Sequence, residues 1–178
     1  MLLDAQRSLL LAIDLQERML PAIADHDGVL RNCEWLIRAA QKIGVPVAAI
    51  EQYPRGLGPL VPSISALLPP GAVAAKTRFS SVSAKCLPDL PGSDRTQAVI
   101  IGVETHVCVL QTAIDLYHEG KEVYVVADAW ARDTTSTATW LLRACVRMGC
   151  ASCRGRWWCS NGLEWRPLRC SRRSAKNF

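Results

Sequence analysis

The sequence predicts a three-layer α/β/α domain built on a mostly parallel sheet, and two observations carry that expectation. Short, near-continuous apolar runs recur along the chain, and stretches with helical spacing separate them. A strand that is apolar at every position is buried on both faces, which calls for helices above and below a parallel sheet. At 178 residues and 49% hydrophobic content, the chain is long enough to enclose such a sheet in one core.

Ser8-Leu9-Leu10-Leu11-Ala12-Ile13-Asp14 reads as a buried strand that ends in a carboxylate. Val29 to Ala40 has helical spacing, and Gly44 with Pro46 stops it. Pro46-Val47-Ala48-Ala49-Ile50 is the second strand. The Pro- and Gly-rich Tyr53-Pro54-Arg55-Gly56-Leu57-Gly58-Pro59 is a loop. Ala72 to Lys76 is a short strand with Lys76 at its carboxyl end. Ala98-Val99-Ile100-Ile101-Gly102 is another strand, followed by a helix opening at Val109 and running to about Glu119. Glu122 to Asp128 is a strand, and Thr135 to Met148 is a helix. No repeat and no low-complexity linker interrupts the series.

No apolar run approaches the roughly 20 residues needed to span a bilayer, so no membrane partner is expected. The N-terminus lacks a basic segment ahead of its apolar run, which argues against a signal peptide and for a cytoplasmic location. In that setting the eight cysteines are expected to be free thiols. The net charge of +5 is unevenly spread: residues 150–178 hold seven of the 21 Lys and Arg but one of the 16 Asp and Glu. The preceding 149 residues are therefore nearly neutral, and no nucleic-acid partner is expected of them.

Open parallel sheets place ligands beyond the carboxyl ends of their strands. Asp14, Lys76 and Cys108 each fall at or just after such an end. Taken singly, Asp14 reads better as a helix cap, Lys76 as a surface charge and Cys108 as a packed thiol. Together they compose a site. Cys108 lies on a strand-to-helix turn, where backbone N–H groups favour negative charge and a thiol can become a nucleophile.

The ordered set Ala12-Ile13-Asp14-Leu15-Gln16, Lys76-Thr77-Arg78-Phe79-Ser80, Gly102 to Val109 and Glu122 to Asp128 resembles the isochorismatase-like cysteine hydrolases. That family includes nicotinamidases and other amidases. The stretch Glu51 to Pro59 is similar to the branch that holds the isochorismatase domain-containing proteins. The resemblance spans roughly residues 6–149. It implies a Rossmann-like sheet and a catalytic triad of Asp14, Lys76 and Cys108. It further implies a cis peptide at Val103–Glu104, and an oxyanion hole formed by the N–H groups of Glu104 and Cys108. By the same resemblance the thiol attacks a carbonyl carbon, and water hydrolyses the resulting thioester. A homo-oligomer acting on a small molecule is the expected assembly.

Departures from the family narrow the reading. Metal-dependent nicotinamidases carry Asp and His after the second strand, where this chain has Glu51-Gln52-Tyr53. Its histidines are His26, His106 and His118, so no metal and no other cofactor is expected. Enzymes that cleave isochorismate itself lack the cysteine that this chain has at 108. The favoured activity is therefore a metal-independent hydrolysis of a small amide or related C–N bond. The rival is a catalytically silent binding or assembly protein. Gln16, Tyr53, Phe79 and Trp130 are candidate pocket residues, with core packing as the alternative for the three aromatics. His106 is two residues from Cys108, with no fixed direction for its ring.

The tail over residues 150–178 carries four of the eight cysteines and three of the six tryptophans. Cys150, Cys153, Cys159 and Cys170 do not match the spacing of a zinc module. A shifted reading frame accounts for more. Tryptophan has one codon, so Trp157-Trp158-Cys159, read from the final base of each Trp codon, gives Val-Val. That is the kind of residue a last strand and helix would carry. A one- or two-base insertion or deletion near codons 148–150 would scramble every later codon, and the tail is expected to be irregular.

Overall fold

The computed structural model describes residues 3–23, 25–103, 105–130 and 151–153. Six strands form one sheet: β1 (Ser8–Ile13), β2 (Val47–Gln52), β3 (Val73–Lys76), β4 (Gln97–Gly102), β5 (Glu122–Trp130) and β6 (Ala151–Cys153). Their order is β3-β2-β1-β4-β5-β6, and every pairing between them is parallel. The helices are α1 (His26–Lys42), α2 (Pro54–Leu57), α3 (Pro62–Ser65) and α4 (Leu110–His118).

Side-chain alternation explains why the strands read as unbroken apolar runs. Leu10, Ala12, Val99, Ile101, Tyr124 and Val126 face one way and pack with Leu36 and Ile37 of α1. Leu9, Leu11, Ile13, Ile100, Val123 and Val125 face the other way and pack with Ala113 and Leu116 of α4. Both faces are covered, and each fully buried Leu or Ile contributes roughly 1.5–3 kcal/mol. Helix α1 buries Val29, Cys33, Leu36, Ile37 and Ala40, a stripe at helical spacing.

The strand order reverses beside β1. The chain runs outward through β2 and β3, then returns to lay β4 on the other side of β1. A crevice opens at such a reversal, between the carboxyl ends of β1 and β4. The backbones there are very close. Gly102 lies opposite Ile13 with φ +135°, and a Cβ on it would sit 2.0 Å from the Ile13 carbonyl oxygen.

Several elements differ in detail from the sequence reading. β2 runs on to Gln52 instead of stopping at Ile50, because Glu51 and Gln52 pair with Ala75 and Lys76 of β3. The expected loop at 53–59 contains the single turn α2, started by Pro54 at its first helical position. A π-turn, Thr105–Val109, precedes α4 and holds Cys108. In place of irregularity from residue 150, Ala151, Ser152 and Cys153 pair in parallel with Tyr124, Val125 and Val126. The strand ladder there needs only backbone groups, so this short Ala-Ser-Cys segment can extend it. The helix expected at 135–148 and the rest of the tail lie outside the described residues.

Candidate active site

Asp14 ends β1 in the left-handed region, with φ +59°. Its N–H donates to the Ile50 carbonyl (3.0 Å), and its own carbonyl accepts from Gln16 N–H (2.8 Å). A non-glycine residue in that region costs of order 1–3 kcal/mol and persists only where its surroundings enforce it. The sharp turn leaves the Asp14 carboxyl fully buried at the end of the strand.

Lys76, the last residue of β3, reaches back to it. The Lys76 ammonium is 3.3 Å from both Asp14 Oδ1 and Oδ2, and neither side chain is exposed. The ammonium also donates to Gln52 Oε1 at 2.6 Å. The same Oε1 is 4.0 Å from Cys108 Sγ, which completes the circle of four side chains. Asp14 and Lys76 also act on the Cys108 thiol, the carboxylate raising its pKa and the ammonium lowering it. Three strand ends and the π-turn after a fourth therefore converge.

The loop after Lys76 is fastened to the helix after Cys108. Ser80 Oγ and Ser83 Oγ donate to Asp115 Oδ2 at 2.6 and 2.9 Å, and Ser81 N–H donates to Thr112 Oγ1 at 3.1 Å. These bonds hold the loop that follows Lys76 and the helix that follows Cys108 as one body.

Burial pushes the Cys108 thiol up from its ordinary value of 9.0 to about 12. The Asp14 carboxylate adds to the rise through its charge and its hydrogen bond, while Lys76 opposes it. The turn and the lysine, taken from the sequence, argue for a thiolate. Desolvation and the adjacent carboxylate outweigh them, and the resting group is a neutral thiol beside a carboxylate that can accept its proton.

Other candidates take different places. Gln16 is buried, and its amide is spent on backbone: Nε2 donates to the carbonyls of Gln52 (3.0 Å) and Gly58 (2.5 Å), and Oε1 accepts from Gln52 N–H (2.6 Å). It braces the backbone at Gln52 and Gly58 beneath the site. Tyr53 and Phe79 follow β2 and β3 and are 52% and 53% exposed, so they are not core residues. Glu51, at the position where metal-dependent relatives would supply a ligand, accepts from Leu60 N–H at 2.7 Å. Glu104 and the side chains of His106 and Trp130 lie outside the described residues, as therefore do the expected cis peptide and the oxyanion hole's Glu104 N–H. Sequence reasoning missed Gln52. Its signal was the one that found Asp14 and Lys76, a polar residue at a strand's carboxyl end.

The isochorismatase domain family matches residues 8–153. Among curated proteins, the chain is 37% identical over 150 residues to isochorismatase domain-containing protein 1 of Danio rerio, covering 83% of this chain and 52% of that protein. It is 40% identical over 127 residues to isochorismatase domain-containing protein 2A of Mus musculus, covering 70% and 59%. The chain thus spans about half to three fifths of the length of these relatives. Among solved structures, the MAR1 ribonuclease of Caenorhabditis elegans superposes with a TM-score of 0.78 at 30% identity, over 88% of this chain and 81% of that one. The YcaC gene product of Escherichia coli, described as an octameric hydrolase of unknown specificity, gives 0.80 at 25% identity, over 86% and 78%. The matched span covers the whole described sheet and the strand ends that bear Asp14, Gln52, Lys76 and Cys108: the chain belongs to the isochorismatase family.

Proposed function

We propose that the chain is a metal-independent cysteine hydrolase that cleaves a small carboxamide or related C–N bond, with Cys108 as nucleophile, Asp14 as acid–base and Lys76 as their counter-charge. The observation that carries this reading is the thiol set beside a buried carboxylate whose charge an equally buried ammonium balances, with Gln52 Oε1 reaching both the ammonium (2.6 Å) and the sulfur (4.0 Å). As Sγ attacks the carbonyl carbon, the thiol proton passes to Asp14. Asp14 returns that proton to the nitrogen as the C–N bond breaks, releasing ammonia or an amine and leaving an acyl thioester. Water then gives a proton to Asp14 and attacks the thioester; the carboxylic acid departs and the proton returns to sulfur.

The near-neutral charge of the first 149 residues agrees with a small substrate rather than a polyanion. A homo-oligomer in the cytoplasm belongs to the same reading, and the octamer described for the E. coli neighbour supports the assembly. A second reading, a scaffold that binds without turnover, draws on the thiol's resting neutrality, because a buried neutral thiol is also what an inert cysteine would be.

Ammonia release from a panel of small primary carboxamides tests the choice. Turnover of at least one, lowered by at least about 10³-fold in Cys108→Ala, is the expected result. No ammonia from any of them, with no acyl adduct on Cys108 in acid-quenched protein, would leave the silent scaffold standing.

A further inference from the structure

Resting on that reading, we infer that Gln52 is a positioning residue of this site, whose side-chain oxygen fixes the Lys76 ammonium against Asp14 and Cys108. The Lys76–Gln52 contact, at 2.6 Å, is shorter than either Lys76–Asp14 contact, at 3.3 Å. Of the two acceptors, the neutral amide therefore holds the cation closer than the carboxylate does.

The amide is itself held from three sides. Gln52 Nε2 donates to the Thr77 carbonyl at 3.2 Å. This fixes which end of the amide faces the ammonium, since the flipped amide would set N–H against N–H and oxygen against oxygen. The Gln52 backbone is clamped at both polar groups by the Gln16 side chain. The next residue, Tyr53, is turned into the left-handed region with φ +39° and donates from its N–H to the Lys76 carbonyl at 2.7 Å. Gln16, Gln52 and Tyr53 thus form one frame around the lysine.

A neutral acceptor suits this place. It satisfies one of the three ammonium donors without adding a second negative charge, so the Asp14–Lys76 pair stays electrically balanced. Glutamate here would set two carboxylates on one cation, and an aliphatic side chain would leave the cation turned wholly onto Asp14. The 4.0 Å approach of Oε1 to Sγ ties the same amide to the nucleophile.

The test is a coupling measurement read on the thiol, using site-resolved mass spectrometry of iodoacetamide labelling at fixed pH. Gln52→Leu is expected to slow labelling of Cys108 by about threefold to tenfold and to leave Cys33 unchanged, since the cation that lowers the thiol pKa is no longer held in place. In a Lys76→Met background the same substitution is expected to have no further effect. Wild-type labelling in Q52L, or an equal slowing in the K76M background, would overturn the inference by making Gln52 a bystander or a general brace. Should K76M not fold, Gln52→Asn decides alone. It keeps the amide but is one methylene too short, so it slows Cys108 as Q52L does only if reach to the ammonium is what matters. Intact turnover with unmoved labelling sinks this inference alone. Coupled labelling in a protein that turns over no carboxamide sinks only the hydrolase reading.

Discussion

The Lys76 ammonium sits 3.3 Å from both carboxylate oxygens of Asp14, with neither side chain exposed, so the two charges are buried together or not at all. Removing one partner of such a pair strands the other in a low-dielectric interior, at a cost of about 3–5 kcal/mol. Lys76→Met is therefore expected to lower unfolding stability by that amount in urea titration. Asp14→Asn combined with Lys76→Met, which strands no charge, is expected to cost less than K76M alone.

The thiol raised to about 12 sets a pH dependence whose sign follows from its neutral resting form. Folding favours the protonated thiol, so this contribution to stability is fully present below the ordinary value of 9.0 and is lost as pH rises through the folded value. For reactivity the direction is opposite, because only the thiolate is alkylated. The labelling rate of Cys108 is expected to climb about tenfold per pH unit through pH 10 without levelling near 9. A plateau at or below that point, followed by mass spectrometry, would mean that burial and the carboxylate do not hold the proton on sulfur.

Gly102 bears on the geometry that brings β1 and β4 together. With φ +135° and the Ile13 carbonyl oxygen 2.0 Å from a built Cβ, Gly102→Ala strains the backbone and pushes the two strands apart. The expected loss is at least about 1–3 kcal/mol from the backbone conformation, before the clash is added. Thermal unfolding measures it, with a drop in Cys108 labelling marking the displaced crevice.

Resequencing the gene across codons 145–160 tests the tail. An inserted or deleted base near codons 148–150, with a Val-Val reading over Trp157 to Cys159 in the restored frame, is the expected result. An intact frame would make the basic, tryptophan-rich tail authentic.

Much of the fold is legible along the chain because a parallel sheet obeys simple rules. Strands buried on both faces must read as apolar runs, and strand carboxyl ends are where a site can form; Ser8–Ile13 with Asp14 obeys both rules, while the edge strand Val73–Lys76, exposed at Val73 and Ala75, obeys only the second. Gln52 is hidden because Glu51 and Gln52 look like the start of a loop. Only pairing with Ala75 and Lys76 makes them the end of β2. The bracing by Gln16 is hidden for a different reason. Its position two residues past Asp14 looks like a pocket wall, while its amide reads the backbone of another strand, which sequence spacing does not reveal. The direction of the thiol shift is equally out of reach, since it depends on burial and on the charge of Asp14 near the sulfur, neither of which is visible along the chain.

The central claim is that Asp14 takes the proton of Cys108, and Asp14→Asn separates its two consequences in one pair of measurements. The carboxylate raises the thiol pKa, so D14N is predicted to speed iodoacetamide labelling of Cys108 at pH 8. It also removes the group that returns the proton to the leaving nitrogen, so ammonia release from a carboxamide is predicted to fall by about 10²–10⁴-fold. Faster labelling with turnover lost is the predicted result. Labelling no faster than wild type, or turnover retained, would contradict it.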